Sequence, residues 1–313
     1  MTFDFREGQE SQAFPLLFDP FLFNEPRHLA VQRQPGDQLL TFTLHVPEGI
    51  LARLSVFITE ERAVSPRRAT FGGIEAAAGI APEILIAFVQ RVTDRLKDLS
   101  TVVITQYPEA LAPETSPLIR EALLAAGFQL TNTDLNYHIP VTDAPFEEGL
   151  HRGERWKTRK AERMGFAFRK IDRADPEILQ DFVIRARERK GHRITLFPGL
   201  FAGLFQHFPE DIYAFGVFDG EHMIAVAVTI RLNSNALYTF HLADDGDYSR
   251  YSPTVFLIRG VYDWCRANGF GLLDLGIATD HGERNEGLIR FKKNLGATES
   301  EKGTFTYPFE KSK

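Results

Sequence analysis

A histidine, two tyrosines and a pair of lysines stand where this chain turns from apolar to polar, and each can move a proton or carry charge. His241 alternates with Phe240 and Leu242 in LYTFHLADD, at the end of an apolar run. Its ordinary pKa of about 6.5 suits a general base, although a strand histidine satisfied by hydrogen bonds gives the same pattern. Tyr238 precedes it, and Asp244, Asp245, Tyr248, Arg250 and Ser252 follow. Tyr248 could protonate a leaving group or be an ordinary loop tyrosine; the two aspartates could hold an amine or solvate a turn. Arg250 and Ser252 are candidates for binding a substrate.

The second group lies in LLDLGIATDHGERNEGLIRFKKNLGA, residues 272 to 297. Its first half reads as a buried strand and its last part as a short helix closed by Gly296, with Asp280 and His281 in the polar link. On that helix the spacing places Leu288, Phe291 and Leu295 on one buried face and Arg290, Lys293 and Asn294 elsewhere. Lys292 falls beside the apolar face, where its stem can follow the core edge and its ammonium reach the mouth of a cleft. Asp280 and His281 are candidates for the rim of that cleft or residues of a solvated loop. These groups suit acid–base and charge-stabilising chemistry. No Ser-His-Asp spacing or metal-ligand pattern competes with them.

A third feature is HRGERWKTRKAERMG. From Arg152 to Arg163 it holds six Arg or Lys and two Glu, a local excess of four positive charges in a chain whose net charge is −6. Such a helix could draw a phosphorylated ligand, with Arg159 and Arg163 one turn apart as its first candidates, or be a solvated face.

The elements that must position these residues occur twice. PEILIAFVQRVTDRLKDL is a helix with Ile84, Leu85, Phe88, Val89, Val92 and Leu96 on one face, followed by the buried strand TVVITQY, the helix SPLIREALLAAGF and an alternating strand. SPTVFLIRGVYDWCRANGF, GLLDLGI, NEGLIRFKKNLGA and TESEKGTFTYPF repeat that order. Pro253 follows Pro82 by 171 residues and Gly296 follows Gly127 by 169, an offset steady enough to indicate a duplicated unit. Hairpin-like strands precede both copies, clearest in IYAFGVFDGEHMIAVAVTIRLNSNALYTFHL with its DGE and NSN turns. The reading is a mixed α/β chain of the α+β class. Each domain holds a mostly antiparallel sheet flanked by helices, residues 1–148 forming one and 149–313 the other. The first thirty residues, apolar without a period, predict a strand or an arm.

At 313 residues two domains are the better prior, and 27 Phe with 24 Gly fit packed sheets joined by tight turns. The negative net charge offers no global attraction to nucleic acid or an anionic membrane, so any anion site must be local. The single Cys265 excludes a disulfide within the chain and fits a reducing cytoplasm. No signal-peptide pattern or membrane-spanning run is visible, which predicts a cytoplasmic protein.

The element order, together with RWKTRKAERMGF, SPTVFLIRGVYDWCRANGFGLLDLG and GLIRFKKNLGA, resembles the GNAT superfamily of N-acyltransferases in the tandem form of the Fem-type aminoacyltransferases. The resemblance covers most of residues 150 to 300, and the first half matches by element order. It implies two GNAT-like domains in a bacterial-type enzyme. Such an enzyme moves an acyl or aminoacyl group from an activated donor to an amine by direct attack, its cleft in the second domain. Amide formation then needs a deprotonated amine, a donor for the oxyanion and a proton for the leaving group. In this fold the oxyanion donor is commonly a backbone N–H on the fourth strand, which singles out Tyr238, His241 and Asp244. A Fem-type active-site lysine would correspond to Lys292 or Lys293.

Acyl-CoA is the expected co-substrate, with no tightly bound cofactor and no metal. The acceptor would be a small amine, with a phosphorylated or nucleotide-linked precursor as one candidate. Transfer RNA is the less expected donor, since no helical-hairpin insertion is present. LADDGDYSRYSPT stands where acetyl-CoA-binding relatives carry a Gln/Arg-x-x-Gly-x-Gly/Ala loop, which leaves a non-catalytic ligand-binding protein as the alternative.

Overall fold

The computed structural model describes residues 3–8, 14–191, 196–280 and 282–309, and these fall into two compact units. The first comprises residues 1–136, 279–284 and 300–313; the second, residues 137–278 and 285–299. Among the described residues no helix is long and apolar enough to cross a membrane.

In the first unit β1 (Asp4–Gly8) lies antiparallel to β2 (Gln38–Val46), which turns into β3 (Gly49–Thr59), with α1 (Pro26–Gln32) between β1 and β2 in the chain. β4 (Arg62–Ser65) and the short β5 (Glu75–Ala76) both pair with β3, and α2 (Pro82–Leu96) leads to β6 (Thr101–Thr105). α3 (Ser116–Ala125) and β7 (Gln129–Pro140) complete the first copy. The predicted apolar face of α2 is buried through Leu85, Phe88, Val89, Val92 and Leu96. The expected N-terminal arm is real: Phe21, Leu22 and Phe23 are buried, and the Phe21 N–H donates to Glu75, whose other oxygen accepts from Arg53 at 2.6 Å.

β4 and β6 run parallel from Arg62 opposite Thr101 to Ser65 opposite Ile104. A further bridge, Gly72 to Gln106, continues that pairing. The Gln106 side chain accepts from the Ile74 N–H and donates to the Ile74 carbonyl, closing the ladder over FGGIE. Gly73, at φ +88°, is required there, because a Cβ would lie 2.1 Å from Gln106 Oε1.

The second unit opens with α4 (Phe146–Gly149), α5 (Arg152–Arg163), β8 (Ala167–Lys170), α6 (Pro176–Arg189) and α7 (Leu200–His207). The predicted meander follows as β9 (Ile212–Asp219), β10 (His222–Arg231) and β11 (Ala236–Asp244), all antiparallel. A 3-10 turn over Gly246–Tyr251 enters α8 (Pro253–Ala267), and β12 (Leu272–Ile277) follows. Then come β13 (Thr279–Asp280), β14 (Glu283–Arg284), α9 (Glu286–Asn294) and β15 (Thr298–Pro308). The repeat holds in detail: α2 and α8 both open on proline and both run 15 residues. Proline at the first helical position costs no hydrogen bond and presets φ.

The units do not divide at residue 148. The chain passes from the first to the second after Asn136, and the last strand of the second copy belongs to the first unit, where Thr304–Pro308 pair antiparallel with Thr105–Thr101. In the second unit Tyr137–Pro140 of β7 stands beside β12. A strand needs a free edge with matching side chains, and sequence adjacency does not decide which edge that is. The polar link also falls with the first unit: Thr279 Oγ1 donates to Asp134 at 2.7 Å. Asp280 pairs through its backbone with Glu283, and His281 lies outside the described residues.

Candidate active site

β11 and β12 are parallel for only three residues, Ala236 to Tyr238 against Leu272 to Asp274. A register shift in β11 opposite Val228 and Thr229 bends it at that point, as a bulge does. Beyond Tyr238 the edge of β11 that faced β12 has no ladder partner among the described residues, so its peptide groups are open to a ligand. Thr239 Oγ1 pins the fork by donating to the Asp274 carbonyl at 3.0 Å.

A cleft of about 610 Å³ lies along Leu242, Ala243 and Asp244 of β11. Its other walls are Ser252, Thr254 and Val255 at the start of α8, Lys157 of α5, Arg187 and Lys190 at the end of α6, and Leu288 and Phe291 of α9. Ser252 holds the left-handed region at φ 51° and gives α8 no side-chain cap. Pro253 has no N–H and the Val255 N–H donates to the Ser252 carbonyl at 3.0 Å, so the first turn of α8 offers the cleft the Thr254 N–H and the positive end of its dipole. Lys190 pairs with Asp244 at 2.5 Å and Lys157 with Glu154 at 2.9 Å, and Arg187 lines the cleft beside them.

His241 is 8% exposed and lies beneath this wall. Its Nδ1 is 3.4 Å from Arg187 Nη2, and its ring packs on Phe201 and Phe240. Burial, helped by the Arg187 charge, pushes its pKa down to about 3. The imidazole is therefore neutral at ordinary pH, with Nδ1 accepting from the guanidinium. The ring does not line the cleft and its Nδ1 is engaged by Arg187, whereas the sequence predicted a general base facing the substrate. Tyr238 sits at the fork, 9% exposed.

Tyr248 and Arg250 line a different hollow, of about 560 Å³, with Phe166 and Tyr251. The Tyr248 hydroxyl donates to Asp219 at 3.1 Å, and desolvation with that carboxylate raises its pKa. The structure thus separates Tyr248 from the cleft and makes it a poorer acid than a free tyrosine. The Arg250 guanidinium stacks 4.7 Å from the Tyr251 ring.

α9 is rotated from the predicted face. Ile289, Lys292 and Leu295 are buried, whereas Leu288 and Phe291 are half-buried in the cleft wall. Lys292, 4% exposed, donates to the carbonyls of Gly276 at 2.7 Å and Ile277 at 2.8 Å. Burial lowers its pKa to about 8, opposed by Asp274. Its ammonium therefore braces the end of β12 rather than the cleft mouth. Lys293 is exposed and pairs with Glu299 at 3.4 Å, both on the side of Tyr137, whose hydroxyl donates to Glu299. Arg290 is exposed, as are Arg159 and Arg163 on α5.

Arg187, Lys190, Lys157 and Asp274 escaped the sequence reading. RARERKG looks like the usual cationic end of a helix. Asp274, buried and accepting from the Gly276 N–H at 2.9 Å, was legible as a lone carboxylate inside LLDLG.

Residues 152–293 match the family model described as acetyltransferase (GNAT) domain. The fold and this match define the class: the second unit carries an acyltransferase domain of the GNAT kind. The whole chain is similar in fold to the crystal structure of FemX, with which it shares 14% identity over 97% of both chains at a TM-score of 0.71. L-PGS from Bacillus licheniformis is also similar, at 11% identity over 92% of this chain and 93% of that one, with a TM-score of 0.54. A tandem GNAT protein from the clavulanic acid biosynthesis pathway gives 11%, 90%, 86% and 0.51 for the same quantities. At these identities the likeness is one of fold. No curated protein matches the chain in sequence.

Proposed function

We propose that the second unit transfers an acyl group from acyl-CoA to the amine of a small acceptor by direct attack. The observation that supports this is the open edge of β11 beyond Tyr238, running beside the uncapped start of α8. The amine nitrogen bonds to the thioester carbonyl, and the carbonyl oxygen takes the negative charge beside β11 N–H groups. The carbon–sulfur bond then breaks, and the proton lost by the amine nitrogen passes through solvent to the leaving thiolate, which departs as the thiol. In this reading the first turn of α8 with Arg187, Lys190 and Lys157 holds the donor's phosphates. His241 positions Arg187 through Nδ1, and Lys292 fixes the end of β12.

The likeness to FemX and to L-PGS favours a second reading, in which the donor is an aminoacyl ester on transfer RNA. Thermal shift against acetyl-CoA, longer acyl-CoAs and aminoacyl-transfer RNA separates the two, since a ligand at a hundred times its Kd adds about 2.7 kcal/mol. Stabilisation by an acyl-CoA that disappears in Arg187→Ala is the expected result. Stabilisation by aminoacyl-transfer RNA alone would exchange the first reading for the second. Binding without turnover on any amine would leave a ligand-binding protein.

A further inference from the structure

The basic helix α5 divides into two faces with different tasks. Glu154, Thr158 and Ala161 are buried against the unit, and Lys157 turns to the cleft. On the opposite side Arg152, Arg155, Trp156, Arg159 and Arg163 are all exposed. At about 100° per residue these five fall within a single arc of roughly 100°. None of the four arginines has a carboxylate partner among the described residues, whereas both glutamates of the helix are engaged, Glu154 with Lys157 and Glu162 with Arg259. Trp156 is 57% exposed at the edge of this row, and Met164, 48% exposed, follows as the cap of the helix.

Four arginines without carboxylate partners and an exposed tryptophan make one cationic face with an aromatic in it, and the proposed transfer chemistry uses none of them. We propose that this face of α5 docks the protein on an anionic lipid bilayer, the arginines meeting lipid phosphates and Trp156 entering the headgroup layer. The pairing is one of charge complementarity: the chain's net charge is −6, and this row is a local reversal of sign. Guanidinium groups match phosphate oxygens by two parallel hydrogen bonds, and tryptophan is the side chain that best fits the boundary between headgroups and acyl chains. Met164 favours a bilayer over a nucleic acid, because a flexible thioether finds burial in the first and no base to read in the second. The helix has 12 residues and its inward side is already buried against the unit, so it would lie on the surface without inserting.

The test is co-sedimentation of the full chain with vesicles of phosphatidylcholine and phosphatidylglycerol at about three to one, with pure phosphatidylcholine as control. Binding is expected only to the anionic vesicles. It should weaken between about 0.1 and 1 M salt, as the screening length falls from about 10 to about 3 Å. Replacing the four arginines by glutamine should reduce it on the order of several hundredfold, at about fivefold per arginine. The chain has two tryptophans, so Trp264→Phe leaves Trp156 as the reporter, whose emission should move to the blue and be quenched by brominated lipid. If that variant folds poorly, loss of quenching in Trp156→Phe gives the same information. No binding to anionic vesicles, binding that survives the arginine replacements, or binding that leaves Trp156 emission unchanged would overturn the proposal. So would capture of RNA through the same arginines with no affinity for lipid. None of these outcomes bears on turnover in the cleft, so this proposal and the acyl-transfer reading fail separately.

Discussion

Arg187 Nη2 and His241 Nδ1, 3.4 Å apart, join the cationic wall of the cleft to the buried core beneath it. The histidine is an acceptor held in place by Phe201 and Phe240, and the arginine lines the cleft. His241→Phe keeps the volume and removes the acceptor. It should leave the fold intact and weaken donor binding by about tenfold, the worth of one hydrogen bond to a charged group. Titration calorimetry with the donor checks this, and an unchanged Kd would remove the positioning role.

The same histidine predicts how stability responds to acid. Its folded pKa of about 3 lies below the ordinary value, so between the two the unfolded chain binds more protons than the folded one. Stability is therefore lost as pH falls, and by pH 5 this group alone accounts for about 2 kcal/mol at most. Urea unfolding at pH 7 and pH 5 should show a smaller drop in His241→Phe than in the parent. Equal slopes would mean that the ring is solvated.

Lys292 and Lys293 should behave as opposites although they are neighbours. Lys292→Met leaves the Gly276 and Ile277 carbonyls without their donor and should cost about 2–3 kcal/mol in urea unfolding. Lys293→Met loses only an exposed ion pair and should stay within about 0.5 kcal/mol of the parent. Because burial lowers the Lys292 pKa to about 8, the intact protein should gain stability as pH rises from there toward the ordinary lysine range.

Ser252 occupies a left-handed conformation at the entrance to α8 without using its side chain as a cap. Ser252→Gly should raise stability by up to about 1 kcal/mol, and Ser252→Val should lower it by about 1–2 kcal/mol. Differential scanning calorimetry of the two variants decides the sign.

Gly73 closes the ladder of the first unit. Gly73→Ala would push a methyl into Gln106, whose side chain is tied to both polar groups of Ile74, and should cost on the order of 3 kcal/mol. A near-neutral unfolding midpoint would show that the closure is loose.

FGGIE and LADDGDYSRYSPT occupy corresponding places in the two copies, yet one is zipped and the other open. Glycines at 72 and 73 and the long amide of Gln106 allow the first, and all three can be read in the sequence, but their meeting cannot. The α9 face shows the same limit. Leu288, Phe291 and Leu295 satisfy helical spacing as well as Ile289, Lys292 and Leu295 do. The second set is buried because two carbonyls at the end of β12 await a donor there. A lysine counted as polar by pattern became core by partnership.

By itself the sequence determined the order of the elements, their lengths and their duplication. Periodicity, proline at helix starts and glycine at helix ends act between residues a few positions apart. Its basic helix and the run Arg290, Lys292 and Lys293 also single out the second copy as the expected place of the cleft. Only the tertiary structure decided that the strand closing the second copy pairs with Thr101–Thr105 of the first unit, and that β11 leaves β12 after Tyr238. It alone made His241 a support for Arg187 and turned four arginines of α5 outward. Those outcomes depend on which distant edges and buried polar groups compete for the same partner, and that competition has no signature within any one segment.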